Sequence, residues 1–201
     1  MTGFDLIVRL FALVLGFSIA EVLGGFARTL RVKLGLTHVP AETTHVGLLV
    51  PLLGLLVVMD QMSFWLAFYV LQANIPLSFA TMLTVLFLVG GFYLVSTLAF
   101  PAHPERWPEF DEHYFRVKSA VIGGLLAVYL ALIAFATFVV VEDGEAALAQ
   151  TGRPNPAGTA ASFAFLFLLV ALLLARGRRT NLVLLVLANA ALLVEAFSLS
   201  R

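Results

Sequence analysis

Acidic side chains stand inside long apolar stretches of this sequence, where an ionised group is costly. Asp60 interrupts the run "VVMDQMSFW" (57–65), and Glu21 and Glu195 lie in apolar surroundings near either end of the chain. A charged side chain at the centre of a bilayer costs about 2.5 to 3.5 kcal/mol on insertion scales. Each of these acids is therefore expected to face the interior of a helical bundle, to carry a proton or to pair with a base.

Proton exchange is the chemistry that such acids favour. Carboxylates in a low-dielectric environment keep their protons to higher pH than in water and can exchange them near neutral pH, as the acids of proton-coupled transporters do. We predict a polar track that crosses the membrane, with Asp60 as its central acid together with Glu21, and with an ion pair between Arg9 and Glu195 at its outer mouth. Its members are Glu21, Asp60, Gln61, Ser63, Asn189, Glu195 and Arg9.

The same residues have a structural interpretation. Buried Asn, Gln and Ser side chains commonly join membrane helices through hydrogen bonds worth about 0.6 to 2 kcal/mol each. Arg28 follows Glu21 by two helical turns, so it lies on the same helix face and is closer to the cytoplasm. The sequence leaves open whether the buried acids conduct ions or only hold helices together.

Composition identifies the environment of the chain. Its 201 residues are 61% hydrophobic and 12% charged, and the mean hydropathy is +1.02, whereas soluble domains are roughly 25% charged. Several windows are apolar for 18 residues or more, which is long enough to cross a bilayer. Cysteine is absent, so disulfides, iron–sulfur clusters and thiolate zinc sites are excluded. The zero net charge gives no indication of a nucleic-acid partner.

These windows predict an all-α fold, an integral membrane bundle of six transmembrane helices in one domain over 1–201. The N-terminal stretch is taken as the first span because no basic residue precedes its apolar run. A five-span alternative would require one of the last two segments to be re-entrant. The predicted spans are about 6–26, 46–70, 79–100, 117–141, 159–175 and 182–199.

The basic residues predict the orientation of the bundle. Lysine and arginine favour the cytoplasmic side, and nine of the twelve fall in or beside the first, third and fifth loops. They are Arg28, Arg31, Lys33, Arg106, Arg116, Lys118, Arg176, Arg178 and Arg179. Both termini are therefore predicted to lie outside, and a prokaryotic inner membrane is the expected location.

The connection between the third and fourth spans, "AHPERWPEFDEHYFRVK" (102–118), has a helical pattern after its prolines. We predict a short amphipathic helix that lies at the cytoplasmic interface, in which Glu112 and Arg116 can pair. Glu109 and His113 are also four residues apart. The spacing specifies no third ligand, so no metal site is predicted.

The first span carries a stripe of small residues. Gly16, Ala20 and Gly24 recur every four residues, which lets another helix approach closely. That helix belongs either to the same chain or to a second copy in a homo-oligomer.

The sequence lacks the residues that several cofactors and enzyme classes require. No histidine falls deep in a span to ligate haem, and no lysine lies mid-membrane to form a retinal Schiff base. The sequence has no Gly-x-Ser-x-Gly elbow or His-Glu-x-x-His motif, and no Walker-type glycine loop. No cofactor is predicted, and an enzymatic function is disfavoured.

Three stretches resemble a set of small prokaryotic multi-pass membrane proteins of uncharacterised activity. They are "LGFSIAEVLGGFARTLR" (15–31), "DQMSFW" (60–65) and "FPAHPERWPEFDEHYFRVK" (100–118). The resemblance implies the membrane topology and no mechanism. Besides the lipid bilayer, the expected partners are a second copy or another membrane protein. The leading hypothesis is a small transporter or channel for protons or another small ion or solute. The alternatives are an accessory or scaffold subunit and a membrane-embedded lipid-modifying enzyme.

Overall fold

Six α-helices form the described part of the chain. The computed structural model describes residues 3–36, 45–71, 78–104, 107–143 and 156–199. All six helices are long and apolar enough to cross a membrane, which confirms the all-helical, six-span prediction. The helices are α1 (Gly3–Lys33), α2 (Leu49–Leu71), α3 (Phe79–Ala99), α4 (Phe110–Asp143), α5 (Pro156–Leu174) and α6 (Arg178–Leu199).

The amphipathic helix predicted between the third and fourth spans is not a separate element, and that prediction was wrong. Residues 110–143 form the single continuous helix α4, because no proline interrupts this stretch. Phe110 and Tyr114 are fully buried in the protein and do not lie on a bilayer surface. Arg116 is placed over the ring of Trp107, with its guanidinium carbon 4.7 Å from the ring centroid, instead of pairing with Glu112.

The chain between α3 and α4 is held by backbone contacts. α3 ends at Ala99 and Phe100 is extended, as expected for a residue that precedes a proline. Further on, the amide of His45 donates to the carbonyl of Pro108 over 2.8 Å, and the amide of Phe110 donates to the carbonyl of His45 over 3.2 Å. These two bonds fix the beginning of α4 against the chain that leads into α2.

Helix α2 is the central element of the bundle. It packs against α1, α3, α4 and α6, and more than half of its span is buried, a larger share than in any other span. Its buried positions are mostly apolar because they pack against four other helices, whereas Leu55 and Met62 are exposed on its remaining face. The buried polar side chains of α2 must find their partners within the protein.

Phe100 fixes the spacing of α1, α2 and the end of α3. Its ring occupies the space where a β-carbon would stand on Gly25 of α1 and on Gly54 of α2. The ring also meets Phe26 edge-on, with centroids 4.8 Å apart. Only glycine at both positions lets the two helices close around this aromatic side chain.

This packing predicts different effects of one substitution at two glycines. Gly54→Val forces its side chain into the Phe100 ring, and overpacking of this kind costs about 1 to 3 kcal/mol. Gly16→Val is the matched control, because a β-carbon on Gly16 meets no atom within 4 Å. Thermal unfolding in detergent should show a lower melting temperature for Gly54→Val and little change for Gly16→Val. Equal melting temperatures would contradict the packing role of Gly54.

A buried lysine joins α4 to the hairpin of α5 and α6. Lys118 is 7% exposed, and its Nζ donates to the carbonyl of Leu172 over 2.9 Å and to Asn181 Oδ1 over 3.3 Å. It also donates to the carbonyl of Ala175. The last carbonyls of a helix lack intrahelical partners and lie at the negative end of its dipole, so an ammonium group stabilises the end of α5.

The same junction contains further polar contacts. Tyr114 donates from its hydroxyl to Asn181 Oδ1 over 2.8 Å, and Asn181 Nδ2 donates to the carbonyl of Gly177 over 2.8 Å. Arg178 Nε lies 2.5 Å from Asp111 Oδ2. These contacts place the beginnings of α4 and α6 and the end of α5 at one end of the bundle, which we call the basic end.

Lys118→Met tests this junction. Methionine keeps the apolar length of the side chain but leaves buried carbonyl oxygens without a donor, at a cost of about 1 to 3 kcal/mol. We expect a clear decrease in the melting temperature of the detergent-solubilised protein. Lys33→Met, at an exposed lysine of α1, should leave it unchanged. The role of Lys118 would be refuted if both variants melted like the wild type.

Candidate functional site

A small polar cavity lies between α2, α3, α4 and α6. Its volume is about 30 Å³, and its lining includes two carboxyl groups and two hydroxyl groups. A cavity of this size holds a water molecule when it offers polar partners. The lining residues are Asp60, Ser63, Phe64, Ala67, Phe92, Val128, Tyr129, Leu132 and Glu195.

Asp60 and Glu195 reach the cavity at similar depth because α2 and α6 run in the same direction. Asn189 Nδ2 donates to the carbonyl of Leu52 over 3.3 Å, which sets the register of these two helices. Asp60 follows Leu52 by eight residues and Glu195 follows Asn189 by six. At about 1.5 Å per residue, these steps are about 12 Å and about 9 Å along parallel axes. The two residues therefore reach the same cavity from neighbouring helices.

Glu195 is held in place by α5. Ser162 Oγ donates to Glu195 Oε1 over 2.5 Å, and Tyr129 of α4 donates to the carbonyl of Ser162 over 3.4 Å. A short bond to a carboxylate is among the stronger hydrogen bonds in proteins. It fixes one oxygen of Glu195 and leaves the other, Oε2, without a partner.

Three residues of the lining have oxygens that lack donors. Asp60 is 3% exposed, and Asp60 Oδ2, Ser63 Oγ and Glu195 Oε2 are buried atoms without a hydrogen-bond partner. Among the described residues, no lysine, arginine or histidine lines the cavity. Buried polar groups normally have partners, so this set is suited to hold something that carries positive charge or donates a hydrogen bond.

Gln61 belongs to a separate polar contact that joins three helices. Its Nε2 donates to Ser96 Oγ of α3 over 2.8 Å, and Ser96 Oγ lies 2.7 Å from Ser18 Oγ of α1. All three side chains are almost completely buried. This arrangement agrees with interhelical hydrogen bonding, as the structural interpretation of the polar residues predicts.

Asn189 also makes hydrogen bonds that hold helices together. Besides its bond to Leu52, its Nδ2 donates to the carbonyl of Leu185 over 2.8 Å. It lies about two helical turns from the level of the cavity, although it was predicted as a member of the same polar track.

Glu21 is on the outside of the bundle, away from the cavity. Its Oε1 accepts a bond of 2.9 Å from Arg28 Nη2, and the two side chains are 36% and 37% exposed. The expectation that Arg28 shares a face with Glu21 is confirmed. Glu21 lines an open cleft next to Ala20 and Tyr93.

The predicted ion pair between Arg9 and Glu195 is not formed. Arg9 is exposed on α1, and the described ion pairs do not include it. Glu195 is instead bonded to Ser162, because α6 packs mainly against α5 and α2. The predicted polar track is thus divided among the cavity, the Gln61 contact, the Asn189 contact, and the exposed positions of Glu21 and Arg9.

The small-residue stripe of α1 faces away from the bundle. Gly16 and Ala20 are exposed, and Gly24 lies under the guanidinium of Arg28, whose Nη1 would be 3.6 Å from a β-carbon. Close packing of this stripe within the chain, one of the two expectations, was wrong. The close approach uses Gly25 on the neighbouring face, where Phe100 packs.

Tyr129 and Ser162 were not among the predicted site residues. Each is a hydroxyl-bearing residue inside a span, and such residues are common in membrane helices without a role in a site. Ser162 is identified by its bond to Glu195 and Tyr129 by its place in the lining of the cavity, and sequence spacing contains neither contact. Ser96 was missed for the same reason.

The histidine and acid of the fourth span do not form a shared site. His113 is buried, with its Nε2 3.3 Å from the carbonyl of Leu98 and its ring against Trp107, whereas Glu109 is exposed. The cavity of Asp60 and Glu195 is therefore the best candidate site, and its oxygen atoms can bind a proton, a water molecule or a small cation. No family model, no curated protein and no solved structure matches the chain.

Proposed function

We propose that the chain is a small membrane transporter or channel for protons, with Asp60 and Glu195 as its proton-binding centre. The observation that supports it is a shared cavity lined by the buried Asp60 and the half-buried Glu195, each with an unpartnered oxygen, and with no basic residue in its described lining. Two carboxyl groups close together in a low-dielectric site repel each other when both are ionised, so such a pair takes up a proton.

The centre alternates between binding and releasing a proton. Ser63 and Tyr129 offer hydroxyl groups in the same cavity, and a water molecule fits between them. A proton taken up by one carboxyl can pass to the other through this water. Glu21 is not part of the centre, because its carboxylate lies on the exposed face of α1 and pairs there with Arg28.

The orientation belongs to the same proposal. The basic end carries Arg116, Lys118, Arg176, Arg178 and Arg179 of the described residues, and it faces the cytoplasm according to the distribution of positive charge. Both termini are then outside, and the membrane is the inner membrane of a prokaryote. The cavity lies beyond the middle of α2, towards the outer side.

Asp60→Asn tests the centre by proton flux. Purified protein in liposomes is given a potassium gradient with valinomycin, and an internal pH dye reports proton entry. The wild type should conduct protons. Asp60→Asn should reduce the rate to that of protein-free liposomes, because the amide cannot bind and release a proton.

Glu21→Gln is the matched control for this experiment. It also removes a membrane carboxylate, but one outside the cavity, so the rate should stay at the wild-type level. Asp60→Asn should keep its size-exclusion profile and melting temperature, because an amide of equal size replaces a buried acid. Undiminished flux through well-folded Asp60→Asn would refute the proposed role of Asp60.

A second candidate function is that of an accessory subunit that binds another membrane protein. The exposed stripe of Gly16 and Ala20 favours it, together with the cleft beside Glu21 and Tyr93. Gly16→Leu with Ala20→Leu would then dissociate a complex extracted from native membranes without lowering the melting temperature. A stable partner together with an absence of flux by the purified chain would favour this function over transport.

A further inference from the structure

The cavity of Asp60 and Glu195 contains more ligand atoms than proton binding requires. Asp60 Oδ2, Ser63 Oγ and Glu195 Oε2 are buried and lack partners, and Asp60 and Ser63 follow each other at i, i+3 on one face of α2. A proton bound to one carboxyl occupies almost no volume. The space of about 30 Å³ is then left for another occupant.

The chemistry of the lining restricts that occupant. Its polar atoms are carboxylate and hydroxyl oxygens, the ligands that hard cations prefer. Phe64, Phe92, Val128 and Leu132 complete the wall, so a hydrated ion or an organic solute has no room. Ca²⁺ takes six to eight oxygen ligands, and Mg²⁺ keeps several of its waters. A small monovalent cation without a full hydration shell fits both the volume and the donor set.

The charges that face the cavity are those of two acids. Asp60 projects from α2 and Glu195 from α6, α4 contributes the neutral Tyr129, and α3 contributes Phe92. Ser162 of α5 reaches Glu195 from the other side. With both carboxyl groups protonated the cavity is neutral, and it remains neutral when one monovalent cation replaces one proton. Neutrality is strongly favoured because an uncompensated buried charge is costly.

We infer that the cavity binds Na⁺ in exchange for a proton, with Asp60, Ser63 and Glu195 as ligands; this inference rests on the proposed cation-binding centre. One carboxyl O–H bond breaks and its proton passes to water. Na⁺ then forms contacts with the carboxylate, with Ser63 Oγ and with the other carboxyl group, which keeps its proton. Nothing is oxidised or reduced, and the charge of the site is unchanged.

Proton release on addition of Na⁺ is the direct test. Purified protein in weakly buffered detergent solution is titrated with NaCl while a pH dye is followed, and binding of ²²Na⁺ is measured in parallel. Choline chloride controls for ionic strength. We expect release of one proton for each Na⁺ bound in the wild type and in Glu21→Gln, and loss of both signals in Asp60→Asn and Glu195→Gln.

Ser63→Ala tests whether the hydroxyl group of Ser63 is a ligand of Na⁺. It removes one ligand oxygen of the cation but neither carboxyl group, and it replaces a buried side chain by a slightly smaller one. The affinity for Na⁺ should fall about tenfold or more, which corresponds to the loss of one good contact to a charged group. Glu21→Gln, whose carboxylate lies outside the cavity, should keep the wild-type affinity for Na⁺. Ser63→Ala also serves where Asp60→Asn or Glu195→Gln does not fold.

Each outcome separates this inference from the proposed function. Proton flux that depends on Asp60, with no Na⁺ binding above the choline control, would mean that the cavity holds a water molecule only, and the inference would be wrong while proton transport stood. Na⁺ binding that persists in both acid variants, or is unaffected by Ser63→Ala, would also overturn it. Coupled Na⁺ binding and proton release without any flux would support the inference and refute transport.

Discussion

Helix α2 is the most buried of the described spans, and the rest of the structure depends on the burial of its polar residues Asp60, Gln61 and Ser63. α1, α3, α4 and α6 pack against it, so every buried polar group that it carries must be satisfied by these neighbours or by something bound between them. Gln61 and Asp60 are consecutive in the sequence, and their side chains point about 100° apart around the helix. They meet this constraint in different ways.

The amide nitrogen of Gln61 has a partner within the protein, whereas Asp60 Oδ2 has none. Ser96 joins Gln61 to Ser18 through two hydrogen bonds, of 2.8 and 2.7 Å, which connect α1, α2 and α3. On the adjacent face of α2, Asp60 and Ser63 meet Glu195, which adds a second acid instead of a donor. A buried acid beside another acid is destabilising unless a cation or a proton is present. The bundle therefore has a fixed polar contact on one side of α2 and a site that requires an occupant on the other.

The positions of the six helices along the chain were predictable from the sequence, but the identity of neighbouring helices was not. The apolar windows located all six helices, and the pair of Glu21 with Arg28 was expected because it is local to one helix. Glu195 was assigned to Arg9 because both lie near the same end of the bundle. Which of several helices an acid meets depends on the rotation and order of the helices around the bundle. The rotation and order of the helices follow from contacts such as the packing of the Phe100 ring against Gly25 and Gly54. Such contacts join segments that are far apart in the sequence.

The basic end explains how the site keeps its geometry. Lys118 and Asn181 fix the end of α5 and the beginning of α6 to α4. From that junction the three helices run towards the cavity, where α4 contributes Tyr129, α5 contributes Ser162 and α6 contributes Glu195. Lys118 and Arg178 thus connect these helices at one end of the bundle. They hold together the helices that present a carboxylate to Asp60. Because this junction is densely bonded, any movement that opens the cavity to water is expected at the opposite end of α4, α5 and α6.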